Sequence, residues 1–120
     1  MLRFSESSDR SVKAQQVVLL LIGAATQKQL LNYDDVSRRI GYKGAGVIGP
    51  ILDYVHQWCL ANNLPPLTTL VVNKATGMPG VGLTSVVNNI PKKWQKVWNY
   101  NWLDIVPPTA NELAKIYGEK

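Results

Sequence analysis

One cysteine and one histidine in 120 residues leave this chain short of the side chains that most often carry chemistry. A lone Cys59 excludes an intrachain disulfide and agrees with a reducing compartment. His56 and Cys59 stand three apart on one helical segment, but a closed zinc site needs four ligands, and no other His or Cys exists to complete it. No metal or cofactor is therefore expected. The serines and threonines lack a local nucleophile motif, which argues against a hydrolase triad. Acidic residues are also few, 8 against 13 basic ones, for a net charge of +5. That balance admits nucleic acid or an acidic protein surface as partner.

Long apolar runs are missing too. No stretch of 18 apolar residues is present, so no membrane-spanning helix or membrane partner is expected. The longest such run, "VVLLLIGAA" at 17–25, has the look of a signal-peptide core. Glu6 and Asp9 precede it, and the better expectation is a buried first helix in a cytoplasmic chain. What remains is ordinary globular material: 46% hydrophobic and 18% charged, enough to bury a core as one domain.

The first nine residues read as a frayed or disordered terminus, and 10–120 as a single domain. Asp9 or Ser11 can cap a helix over about 10–27, whose apolar positions Val17, Val18, Leu20, Leu21, Ala24 and Ala25 follow helical spacing. Asn32 then caps a short helix in "NYDDVSRRIGY". Asp34 and Asp35 complement its positive end, Arg38 and Arg39 its negative end, and Gly41 stops it. A third helix runs through "VIGPILDYVHQWCLANN", with Val47, Ile51 and Val55 inward and Gly46, Gly49, Asp53, Tyr54 and Gln57 outward. Pro50 must fall in its first turn.

Leu64-Pro65-Pro66 breaks that helix, and β-branched "LTTLVVN" at 67–73 reads as a strand. "KATGMPG" is a turn and "LTSVVNN" a returning strand. "PKKWQKVWNYNW" opens a helix on Pro91, and Thr109 with Glu112 forms a capping box before a final helix. This order predicts an α+β, mostly helical fold. It is a winged helix-turn-helix-like domain with three helices, a two-stranded wing and a C-terminal helical extension.

"NYDDVSRRIGY", "AGVIGPIL" and "LPPLTTLVVN" with its glycine turn resemble the winged-helix domain of O6-alkylguanine-DNA alkyltransferases and the alkyltransferase-like proteins. The likeness covers residues 31–82. It aligns Thr68 with the family's alkyl-accepting cysteine and Thr69 and Leu70 with the histidine and arginine that follow. Gly46 falls where the family has an intercalating arginine, and Tyr33 matches a residue used to turn the target nucleotide. The resemblance thus implies DNA-binding shape without alkyl transfer. "LPPLTTLVVNKATGMPGVG" with "VWNYNW" is also similar to uncharacterised small bacterial and prophage proteins, a likeness that implies no activity.

Two functional expectations follow. The first is a non-enzymatic DNA-binding protein whose contacts are Tyr33, Arg38, Arg39, Lys43 and Lys74. The outward face of the third helix offers no Arg or Lys to a base edge, so these cations would hold phosphates rather than read sequence. The second is a small prophage-type regulator or inhibitor that binds a protein through Met78, Trp94 and Trp98. Trp94, Trp98 and Trp102 recur every four residues, with Lys92 and Lys93 just before them and Lys96 between the first two. That pattern suits a core face or protein interface better than a base-stacking surface. Adjacent Asp34 and Asp35 point to different sides and read as helix-dipole partners rather than an acid/base pair. "GAGVIG" at 44–49 has the wrong glycine spacing for a dinucleotide loop.

Overall fold

Local chemistry sets most helix boundaries. In the computed structural model, which describes residues 1, 3–43, 46–79 and 89–118, five α-helices are found among those residues. Helix α1 spans Arg10–Thr26, α2 Tyr33–Arg39, α3 Ile48–Ala61, α4 Ile90–Asn99 and α5 Ala110–Tyr117. The Asn32 side chain accepts the Asp35 N–H at 2.8 Å and so starts α2. Thr109 accepts the Glu112 N–H at 3.1 Å and starts α5, which ends on Gly118 at φ 91°. Pro50 lies third in α3, where the missing N–H has no helical partner to lose. Phe4–Glu6, at the terminus read as frayed, forms one 3-10 turn.

The core is built by α1, α3 and α5, each packed on the other two. Ala14, Val17, Val18, Leu21 and Ala25 of α1 are fully buried and meet Ile51, Val55 and Cys59 of α3 and Leu113 of α5 in one cluster. Trp102, in a 3-10 turn after α4, is 2% exposed, and its indole N–H donates to the Val97 carbonyl at 2.7 Å. The four-residue tryptophan repeat therefore leaves the helix before its third member. Among the described residues no helix is long and apolar enough to cross a membrane.

The segment expected to be a strand over 67–73 is mostly not one. Leu67–Leu70 is a 3-10 turn, and only Val71–Val72 (β2) is extended. The Pro66 carbonyl takes both the backbone N–H of Thr69 (3.1 Å) and its hydroxyl (2.7 Å), closing the turn that the β-branched run opposes. All four turn residues are buried, so tertiary packing decides the conformation.

The partner of β2 is Leu31–Asn32 (β1), paired in parallel as Leu31 with Val71 and Asn32 with Val72. Parallel strands require a long crossover, here α2 and α3 together. Residues 83–88 of the anticipated returning strand lie outside the described residues, and Asn89 is the N-cap of α4 at φ 56°. The described fold is α+β and mostly helical, with a small parallel pair.

Candidate nucleic-acid interface

Helix α2 carries two of the four expected cations, and its own acids divide them. Arg38 Nε lies 3.2 Å from Asp34 Oδ2, and an Arg38 terminal nitrogen donates to Asp35. Three- and four-residue spacings bring both carboxylates onto one guanidinium, so the two acids converge instead of diverging. Arg38 is exposed but already neutralised. Arg39 and Lys43 are exposed and, among the described residues, in no ion pair. Tyr33, the first residue of α2, is half-buried and packs against the core.

Helix α3 sits differently from its periodicity. Tyr54, expected outward, is 2% exposed and stacks on Tyr117 of α5 with ring centroids 4.0 Å apart. Val47, expected inward, is 47% exposed because it precedes the helix as its N-cap. Burial of Tyr54 answers to α5, an element 56 or more residues away in sequence. Gly46 and Gly49 are exposed, and Asp53 and Gln57 partly so. That outer face still offers no basic side chain.

Lys74 projects from a closed turn. The Asn73 N–H donates to the Met78 carbonyl at 2.7 Å and the Gly77 N–H to the Asn73 carbonyl at 2.7 Å. The Asn73 side chain also accepts the Ala75 N–H at 2.8 Å, and Gly77 supplies the positive φ of 69° that the turn needs. Met78 is 45% exposed. With Pro79, Asn89, Ile90 and Pro91 it lines a hollow of about 260 Å³.

On α4 the two sequence signals separate by face. Trp94 and Trp98 are half-buried, pack against the core and stack on each other at 6.1 Å. Their indole N–H groups donate to the carbonyls of Thr69 (2.7 Å) and Gln29 (3.3 Å). Lys92, Lys93 and Lys96 lie on the other side around a hollow of about 290 Å³ with Asn89, in no ion pair among the described residues. Tryptophan thus anchors the helix and lysine coats it.

The cysteine, the histidine and two threonines are inside. Burial pushes the Cys59 thiol up to about 11, against a smaller opposite pull from a backbone hydrogen bond with Leu67. It stays protonated at neutral pH, and the thiol is a poor nucleophile. His56 is 6% exposed; Thr68 and Thr69 are fully buried. Thr68 Oγ1 has no hydrogen-bond partner, so the position matched to the alkyltransferase acceptor is closed to solvent as well as lacking sulfur. Among the described residues no group of three His, Cys, Asp or Glu could hold a metal ion.

One residue of this surface escaped the sequence reading. Lys13 of α1 is 6% exposed, donates from Nζ to the Ile40 carbonyl at 2.9 Å and lies over the Tyr42 ring, 5.6 Å from its centroid. Its signal was present: Lys13 is four residues before Val17, on the stripe that α1 buries. No protein family, curated protein or solved structure matches this chain.

Proposed function

We propose that this chain is a non-enzymatic, cytoplasmic nucleic-acid-binding protein that takes duplex DNA through a winged-helix-like surface. The carrying observation is that Arg39, Lys43 and Lys74 are exposed and share no carboxylate among the described residues. Free cations release counterions when they meet phosphates, and this supplies the affinity. The outer face of α3 is poor in base-reading groups, so binding tolerates sequence. Arg38 contributes less than its neighbour because Asp34 and Asp35 hold it. Tyr33 acts as a support for α2 more than as a contact. The alkyltransferase likeness, in this reading, is one of shape. The test is fluorescence anisotropy with labelled duplex and single-stranded DNA of several sequences. Tight, salt-sensitive binding with little sequence preference supports the reading; no binding at low salt overturns it.

A second reading has its own observation, the apolar hollow of Met78, Pro79, Ile90 and Pro91. A small regulator or inhibitor would seat a partner's apolar side chain there, with Trp94 and Trp98 shaping the helix beside it. Met78→Asp with Trp98→Ala should then release partners recovered in a pull-down. Partners that stay bound rule out that interface.

A further inference from the structure

The interior of this protein holds a lysine that its own carboxylates do not answer. Lys13 is 6% exposed, yet no acid lies within ion-pair distance of it among the described residues. Desolvating an ammonium costs several kcal/mol unless a counter-charge or hydrogen bonds replace the lost water. Nζ has three donors, and the Ile40 carbonyl uses one of them. The Tyr42 ring face adds a weak attraction.

The lysine opens onto a hollow of about 270 Å³, lined by Ser5 of the N-terminal 3-10 turn, Lys13 and Gln16 of α1, and the end of α2 from Arg38 to Gly41. The lining has three cations and no carboxylate. Arg38 faces its own acids, but Arg39 has no such partner among the described residues. Gln16 Nε2 makes only a long bond to the Arg39 carbonyl, 3.5 Å, and its Oε1 has no partner. Turning that amide to present its donors inward sacrifices little. The Ser5 hydroxyl can donate as well.

A bland account is that Lys13 only complements the carbonyl end of α2, a site favoured by cations. A helix end carries roughly half an elementary charge. Lys13 and Arg39 together bring two full ones, so the hollow keeps a positive excess after that end is satisfied. We propose that this hollow is a phosphate site: Lys13 Nζ, the Arg39 guanidinium and the Ser5 hydroxyl hold the oxygens of one phosphate group. Resting on the nucleic-acid reading, the phosphate it takes is one of the DNA backbone, which fixes the register of α2 against the duplex.

The experiment follows backbone amides of the full chain by NMR, first with inorganic phosphate at constant ionic strength set by sodium chloride, then with a short DNA duplex. Saturable shifts at Arg39, Ile40 and Gly41 in both titrations are expected. Arg39→Gln, an exposed change that spares the fold, should weaken phosphate binding roughly tenfold, the loss of one charge-assisted contact. Lys13→Met should abolish it, with unchanged amides elsewhere reporting an intact fold. If neither titrant moves these amides, the site is overturned. If the duplex binds while these amides stay still and Arg39→Gln binds as wild type, the site is again overturned and the DNA reading stands. If phosphate saturates these amides but no duplex binds, the site stands and the DNA reading falls.

Discussion

The interior and the surface of this molecule divide the polar chemistry between them. Inside lie Cys59, His56, Thr68 and Thr69, polar side chains that solvent barely reaches. Outside lie Arg39, Lys43, Lys74, Lys92 and Lys96, cations with no ion-pair partner among the described residues. A phosphate binder needs only the second set. Lys13 crosses the division, because a buried cation opens onto a surface hollow. The contrast can be attacked from either side.

The largest effect should come from the interior. Trp102→Ala deletes a fully packed indole and its 2.7 Å bond to the Val97 carbonyl, and should cost about 3–5 kcal/mol in a denaturant titration. A loss under 1 kcal/mol would show that α4 and its lysines are not fixed to the core.

The thiol comes next. An unfolded Cys59 titrates near its ordinary 9.0, and the folded one near 11. The unfolded chain gives up its proton first, so this stabilisation is complete below pH 9 and is lost as pH rises toward 11. Wild-type stability relative to Cys59→Ala should fall by about 2–3 kcal/mol across that window, from 1.36 kcal/mol per pH unit. A constant difference would mean the thiol is not sealed. Lysine and tyrosine titrations are common to both proteins and cancel.

On the surface the expected effects on stability are smaller. Asp34→Asn with Asp35→Asn releases Arg38, and should raise DNA affinity severalfold while costing about 1 kcal/mol of stability in lost helix-end and ion-pair contributions. Unchanged affinity would place α2 away from the DNA. The smallest stability effect belongs to Lys92→Gln, Lys93→Gln and Lys96→Gln together. Thermal unfolding should shift by no more than about 0.5 kcal/mol, since among the described residues these lysines make no ion pair.

Elements decided by their own residues were legible in the sequence. Asn32, Thr109 with Glu112, Pro50 and Pro91 act through hydrogen bonds or sterics within one turn, and α2 to α5 begin within about two residues of where these residues place them. Elements decided at a distance were not. The 3-10 turn at Leu67–Leu70 depends on burial and on Trp94 taking the Thr69 carbonyl, and Tyr54 turns inward to meet Tyr117. The parallel pairing of β1 and β2 joins segments 40 residues apart, and two-residue strands leave almost no alternation to read. At the candidate site, the exposure of Arg39, Lys43 and Lys74 followed from their polarity. The capture of Arg38 by two acids and the burial of Lys13 needed the helices in place.

The most direct measurement is the salt dependence of duplex binding by wild type and by a variant carrying Arg39→Ala, Lys43→Ala and Lys74→Ala. Each phosphate contact contributes about 0.9 to the slope of log K against log salt. The variant should bind more weakly, with a slope shallower by about 2 to 3 and an unchanged unfolding midpoint. Equal slopes for the two proteins would contradict the assignment of these cations, and absence of wild-type binding at low salt would contradict the proposed function itself.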